Sequence, residues 1–457
     1  MSEIRDPIYG FIKLQDSELG IINSSLFQRL RRIRQLALEN LVYPGAQHTR
    51  FGHSLGVLYI ASIMAENLLP GQDNEEKRRI IRFAALLHDI GHGPFSHISE
   101  EVLETYSSPS ESGEDTGKVH EKITRDLINH DKELSRILGP DQRSQIAGLL
   151  SGENVELSLM KETVSGPIDA DKQDYLLRDS HYCGVKYGVY DLHRLLNTIT
   201  DYSEGEDRHI AIKFDGINAL EQFVLAKYYM TTQVYRHKIR LVTDAMIVRG
   251  IELGIERDEI AWLQKLFRYS PTEEYLENYL SWYDERLMAA IVYDSKDGFA
   301  KDIFSRLHAR NLFKTVFSIK FRELPENIAP QTKALMSDIR KKENKKMLDK
   351  ISGNIAKLLG TPPEFVIVNA FTLKSVKEMS RNSEGVIMII KKDGRPSSFE
   401  QESTIFTAID EKINDKLFEV YAPLDYLNNL DKSKKLEKID EQILNYLSTL
   451  KEAEHEH

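Results

Sequence analysis

The stretch FAALLHDIGHGPFSH, from Phe83 to His97, is an apolar helical run that ends in histidines, an aspartate, two glycines and a proline. Ile81, Ala84, Ala85 and Leu87 bury the helix, so His88 and Asp89 are carried toward the interior just where Gly91, Gly93 and Pro94 stop it. A buried imidazole next to a buried carboxylate is costly unless something pairs with both. A divalent cation does so, because neutral imidazole supplies a lone pair while the carboxylate cancels charge. Alone, the His-Asp dipeptide reads equally well as a hydrogen-bonded core pair. Two more clusters add weight. Upstream lies HTRFGHSLG, His48 to Gly56, and downstream DADKQDYLLRD, Asp169 to Asp179. In the second, Asp171, Tyr175, Arg178 and Asp179 fall at i, i+4, i+7 and i+8 on one helical face, as a site wall would. The alternative for that face is a solvated surface held by local ion pairs.

Outward from this centre, residues from about 24 to about 310 show mostly helical periodicity, as in Leu55, Leu58, Tyr59 and Met64 or Leu220, Phe223, Val224 and Tyr228. Tyr9 to Leu14 reads as extended, a short hairpin after the Asp6-Pro7 turn. Ser107 to Gly117, rich in Ser, Gly and Pro, reads as a mobile loop. Composition shifts near Leu324-Pro325 and Pro330, and a polar helical stretch runs on to Leu359. Strand character follows at Phe365–Phe371, Gly385–Ile390, Thr404–Ile409 and Leu417–Tyr421, then an amphipathic helix over Lys435–Leu450 and a frayed tail, Lys451–His457. The expected fold is mainly α. A helical core over 1–330, with an N-terminal hairpin, precedes a helical linker and small α/β subdomain over 331–457.

With 457 residues, 41% of them apolar, the chain can bury a large core. No apolar run approaches the roughly 18 to 20 residues that span a bilayer, and the start lacks a signal peptide's apolar stretch, so a soluble, cytoplasmic protein without membrane partners is expected. Its single cysteine, Cys183, excludes an intrachain disulfide and a Cys-rich zinc site, leaving any metal to His and carboxylates. The net charge of −10 speaks against nucleic acid as a partner. Of two basic clusters, Arg340, Lys341, Lys342, Lys345 and Lys346 read as a solvated helix face. The other comprises Arg29, Arg31, Arg32 and Arg34.

His53, then His88-Asp89, then Asp171 resemble the H…HD…D signature of the HD superfamily, with those four residues as metal ligands. The strings DPIYG (Asp6 to Gly10), FQRLR (Phe27 to Arg31), YPGAQHTRFGHSLG (Tyr43 to Gly56), HDIGHGPFSH (His88 to His97) and DADKQDY (Asp169 to Tyr175) extend the likeness to the HD-domain deoxynucleoside triphosphate triphosphohydrolases. Within that family the chain resembles the vertebrate SAM-and-HD-domain dNTPases and their bacterial homologues, although no SAM domain is seen. The likeness covers roughly residues 4 to 250 and is weaker to about 330. It implies an HD-domain helical core and attack of water on the α-phosphorus of a dNTP, releasing deoxynucleoside and inorganic triphosphate. It also implies one divalent transition metal and a substrate-bound magnesium, the triphosphate oxygens being hard ligands. Mixed imidazole and carboxylate ligands suit iron, manganese, zinc or nickel.

Carried over position by position, the resemblance makes His92, His97, Glu100 and His120 the catalytic group, with His97 as proton donor to the leaving 5′-oxygen and His92, oriented by Glu100 and His120, supporting the nucleophile. His120 reads otherwise as a surface residue. Arg50 and Lys172 would hold phosphates, and Lys227 stands where relatives carry an arginine, offering charge without a bidentate fork. Gln35, Tyr175, Asp179 and Tyr235 match the sugar pocket, where a tyrosine against C2′ would exclude a ribose. Tyr235 fits a helix core equally well. Gln28 and Arg31 match a guanine-nucleotide activator pocket, His237 and Lys238 an effector contact at a subunit junction. Asn23 replaces the vertebrate aspartate that reads guanine, which leaves a GTP or dNTP activator open. A regulated homotetramer is the family expectation. Two other readings remain: an HD phosphohydrolase for another nucleotide phosphate ester, and a catalytically silent nucleotide sensor or nucleic-acid-binding module.

Overall fold

The computed structural model describes residues 2–107, 118–152, 158–326, 328, 330–337, 339, 344–373, 381–382, 385–408, 415–425 and 432–449. It is mainly helical, with small sheets. The first compact unit takes in Met1–His237, Ala261–Ala290 and Val376–Glu411; the second takes in Lys238–Ile260, Ile291–Ser375 and Lys412–His457. A single cut near residue 330 therefore does not describe the packing. Strands Ile367–Leu373 and Asp415–Ala422 complete a sheet begun by Lys314–Lys320, so both sides of that cut belong to one core.

In the first unit, strands Ser2–Asp6 and Gly10–Leu14 form the expected antiparallel hairpin, in register from Ser2 opposite Leu14 to Asp6 opposite Gly10. The central helix, Arg50–Leu68, is apolar on most sides because it packs against Glu75–Leu87, Ala170–Cys183 and the hairpin's second strand. Glu75–Leu87 ends where the glycines and proline predict, with His88 as its C-cap, and His97–Tyr106 follows. Gly91 owes its identity to close approach: a Cβ there would lie 2.2 Å from the His120 carbonyl oxygen.

Two local expectations give way. The helical stretch contains a hairpin, Ile199–Glu204 with Asp207–Lys213, turned at Gly205 and extended by Met388–Ile390 and Pro396–Ser398 into a four-stranded sheet. Thr404–Ile409, expected as a strand, is instead helical over Thr404–Ala408, position 409 lying outside the described residues. The reason is local: the Ser403 hydroxyl caps the Phe406 N–H, and Phe406 packs on Phe399 while Ile405 stays exposed, so burial does not alternate.

In the second unit, the three-stranded antiparallel sheet packs against helices Lys345–Leu359 and Lys432–Thr449 through Val316, Ile351, Ile355, Phe418, Val420 and Ile443. This α/β core begins at Lys314, before the expected start at 331. Lys345 and Lys346 are exposed, as a solvated face requires. Arg340, Lys341, Lys342, most of the Ser107–Gly117 loop and the tail from Lys451 lie outside the described residues.

Candidate metal centre and surrounding pocket

Helix Arg50–Leu68 carries His53, the end of Glu75–Leu87 carries His88 and Asp89, and the first turn of Ala170–Cys183 carries Asp171. The ligand atoms of His53, His88 and Asp89 lie within 4.8 Å of one another. Asp171 belongs beside them: its Oδ1 is 2.9 Å from His53 Nε2 and 4.0 Å from His88 Nε2.

The tautomers are fixed from behind. His53 Nδ1 donates to Asp174 Oδ2 at 2.7 Å, and His88 Nδ1 to the Ala85 carbonyl at 2.9 Å. With Nδ1 the donor on each ring, both Nε2 atoms face the centre as the atoms that would ligate a cation, and neither has a hydrogen-bond partner; the Asp171 oxygen approaches His53 Nε2 at 2.9 Å. Two unpartnered buried imidazole nitrogens beside a carboxylate fit a divalent cation in both charge and donor type. These residues can hold such an ion.

Metal-free protein should place a proton there instead. Burial works against charge on His53, but its contacts with Asp171 and Asp174 prevail and push its pKa up to about 10. Below that value a cation must displace the proton, so apparent metal affinity should rise with pH, and uptake near neutral pH should release about one proton per ion. Acidification of a weakly buffered solution on adding Mn²⁺ measures this. No release would mean that His53 is already neutral.

Arg50 is buried against the centre, with Nη1 2.6 Å from Asp89 Oδ2 and Nε bonded to Ser96 Oγ, while Nη2 has no partner. Burial disfavours the Asp89 carboxylate, yet Arg50, His88 and His92 hold it well below the usual carboxylate range. Ser96 and Phe95 have positive φ, at 57° and 62°, a strained conformation for side-chain-bearing residues. Buried Asp284 stabilises this turn, which sequence reasoning missed: its carboxylate accepts from the Phe95 and Arg34 N–H groups.

The predicted catalytic group also assembles. His92 lies 3.3 Å from Asp89, stacks on His120 at 4.1 Å and meets His97 edge-on at 4.8 Å. Glu100 approaches His120 Nδ1 at 2.8 Å and accepts its backbone N–H. His120 is buried, not a surface residue. Burial, then Arg50 and His120, draw His92 well below the ordinary imidazole range; His97 is exposed to solvent, and the neighbouring positive charges of Arg50 and His120 draw it down.

Asp179 accepts from the Tyr235 hydroxyl at 2.6 Å and bonds His48 Nε2 at 2.7 Å, while the Tyr175 and Tyr235 rings meet edge-on at 6.1 Å. Gln35 joins them through its backbone bond to the His48 carbonyl, and its buried Oε1 has no partner. His48 received no role from the sequence. Lys172 is drawn away, its ammonium bonded to Asp169 at 2.7 Å and to the Gly166 carbonyl. Lys227 is half-buried on helix Ile217–Tyr229, which continues as a π-helix to Tyr235.

The predicted effector residues are farther apart in character. Gln28 bonds the Ile22 carbonyl and Arg31, next to exposed Asn23, and Arg31 lies 3.5 Å over the Phe51 ring. His237 meets Tyr43 edge-on, and exposed Lys238 opens the second unit. Among the described residues no helix is long and apolar enough to cross a membrane.

A helical core brings two imidazoles and carboxylates to one point, a donor set suited to a divalent cation. Residues 50–167 match the HD domain, and residues 190–442 match the HD associated region. The chain belongs to the HD phosphohydrolase superfamily. It is 41% identical to an uncharacterised protein of Methanocaldococcus jannaschii over 57% of its own length and 51% of the relative's. It is 30% identical to an uncharacterised protein of Bacillus subtilis over 68% and 71%, and 29% identical to human deoxynucleoside triphosphate triphosphohydrolase SAMHD1 over 77% and 62%. The match thus spans about half of the archaeal relative and under two thirds of the human one. Among solved structures, a phosphohydrolase from Bacteroides thetaiotaomicron superposes with TM-score 0.70 at 25% identity, over 92% of this chain and 99% of that one. A hypothetical protein from Aquifex aeolicus gives 0.69 at 26%, over 97% and 99%.

Proposed function

We propose that the protein hydrolyses deoxynucleoside triphosphates to deoxynucleoside and inorganic triphosphate. One observation carries the reading: the unpartnered His53 and His88 nitrogens face Asp89 beside a buried guanidinium, Arg50, whose Nη2 is also unpartnered. Ligands for a cation and a donor for a phosphate oxygen therefore share one place. That a relative at 29% identity is named a dNTP triphosphohydrolase supports the choice of substrate.

His53, His88, Asp89 and Asp171 would hold iron, manganese, zinc or nickel, which supplies Lewis-acid polarisation of a phosphate oxygen and acidification of water. Arg50 binds the phosphate chain, and magnesium accompanies the triphosphate. His92, stacked on His120 and hydrogen-bonding distance from the Asp89 side, orients the attacking water. Once the anionic chain is bound, which favours imidazolium, His97 takes a proton from solvent and then donates it to the leaving 5′-oxygen. Tyr175, Asp179, Tyr235 and Gln35 enclose the sugar. Asn23, Gln28 and Arg31, with His237 and Lys238, form the effector contacts of a nucleotide-activated homotetramer working in the cytoplasm.

A second reading rests on Lys172. Tied to Asp169 and Gly166, it is spent on its own helix start, which favours a substrate with a shorter phosphate chain. Incubating metal-loaded protein with each dNTP, with and without GTP, and resolving products by anion exchange separates the two. Deoxynucleoside with intact triphosphate is expected. No turnover with metal bound would defeat the proposal and favour another phosphate ester or a silent sensor.

A further inference from the structure

The N-terminal hairpin lies far in sequence from the three segments that supply the centre, yet one of its side chains, Tyr9, ends on the carboxylate behind His53 and another, Asp6, on the arginine paired with that carboxylate. We propose that this hairpin is a positioning element of the metal centre, acting through Asp6 and Tyr9 on Arg178 and Asp174 and through Asp174 on His53. The inference rests on reading His53 as a metal ligand.

Asp174 is fully buried, and its carboxylate is saturated. Oδ2 accepts from His53 Nδ1 at 2.7 Å and Arg178 Nε at 2.9 Å; Oδ1 accepts from Arg178 Nη2 at 3.0 Å and the Tyr9 hydroxyl at 2.7 Å. With four donors engaged, Asp174 has no lone pair to give an ion, which separates it from Asp171 one helical turn earlier. Its work is to set the ring of His53. A carboxylate behind a ligand histidine fixes tautomer and ring orientation and raises ligand basicity.

Arg178 in turn needs a second anion, because one guanidinium shared with Asp174 alone could swing about that carboxylate. Asp6 supplies it: Oδ2 lies 2.9 Å from Arg178 Nη1, and Asp6 is itself buried. The other oxygen of Asp6 accepts the Ile8 and Tyr9 N–H groups, at 2.8 and 3.1 Å, so one side chain both closes the hairpin turn and holds the arginine. The Tyr9 ring stacks on Tyr59 of the His53 helix at 4.6 Å, which aims its hydroxyl at Asp174. Space for the network comes from Gly56, where a Cβ would sit 1.9 Å from Asp174 Oδ1 and 2.4 Å from Arg178 Nη2. Buried polar chains of this kind hold geometry only when every member is satisfied.

The test is Mn²⁺ affinity, measured by chelator competition on the full chain, for wild type, Asp6→Asn, Tyr9→Phe and the exposed hairpin control Lys13→Ala. Asparagine keeps an oxygen for the turn N–H groups and removes the negative charge that faces Arg178, and phenylalanine keeps the ring stack and removes one donor. Each should weaken Mn²⁺ binding roughly 10- to 100-fold, with Lys13→Ala unchanged and the metal-free variants still melting cooperatively. Should Asp6→Asn fail to fold, Tyr9→Phe decides. Wild-type affinity in the folded variants would overturn the inference while leaving the metal centre intact; a wild-type protein that binds no Mn²⁺ would instead overturn the reading of His53, His88 and Asp89.

Discussion

Asp89→Asn is expected to leave a folded protein that retains almost no metal and turns over substrate at least about a thousandfold more slowly. The size follows from what a bound ion contributes: several kcal/mol of charge stabilisation, with each 1.36 kcal/mol worth a factor of ten, so that about 4 kcal/mol is a factor of about a thousand. Asparagine is a better probe than alanine. Asp89 also balances buried Arg50 at 2.6 Å, and removing every acceptor there would leave a buried guanidinium with an unpaired donor, at a cost of about 3–5 kcal/mol in stability. The amide oxygen still accepts from Arg50 while giving up the charge that the cation needs. His88→Ala approaches the same centre without touching Arg50 and should lose metal equally. Elemental analysis alongside a turnover assay reads both variants. Turnover near the wild-type rate in either, with metal absent, would show that the chemistry does not depend on this centre.

How far the site was legible depended on whether a residue's partners lie close in sequence. FAALLHDIGHGPFSH announced its own helix end, because apolar periodicity and the Gly-Gly-Pro stop are local signals, and the helix does end at Leu87. Asp171, Tyr175 and Asp179 were placed on one face by spacing alone, and the structure turns that face toward the histidines and Tyr235. Asp174 carried a usable signal as well, its i, i+4 pairing with Arg178. What spacing could not show is that Tyr9 and His53 converge on Asp174, and Asp6 on Arg178, across more than a hundred residues. Asp284 was invisible for the same reason, since its partners are backbone N–H groups at Arg34 and Phe95. Lys172 is the reverse case: a family role suggested phosphate, whereas Asp169, three residues earlier, already holds its ammonium. Secondary structure followed the same rule. The hairpin at 199–213 could have been read from Gly205 and the alternation of Ile210 and Ile212, but helical periodicity on both sides obscured it. The interleaved units follow from sheet pairing between distant strands, which no linear boundary expresses.

Tyr175→Ala should reduce discrimination between deoxyribo- and ribonucleoside triphosphates by about 10- to 100-fold, the range in which a fitted pocket rejects one added hydroxyl. The ring stands on the same face as Asp171 and meets Tyr235 edge-on, while Tyr235 is anchored to Asp179 and Asp179 to His48. Burial, with help from Asp171, Asp169 and Asp179, raises the Tyr175 phenol above its ordinary value even against the pull of Lys172, so the proposed sugar contact would be made by a neutral, bulky group. Truncation opens volume where a 2′-hydroxyl would sit but leaves Arg50 and the ligands of the centre untouched. The separation is therefore diagnostic: kcat/KM for the ribonucleotide should rise relative to that for the deoxyribonucleotide, while metal content stays at the wild-type level. A ratio that does not move would place Tyr175 outside the sugar pocket. A fall in both rates by one factor would make it a support for Tyr235, since truncation removes the edge-on contact with the ring whose hydroxyl Asp179 accepts.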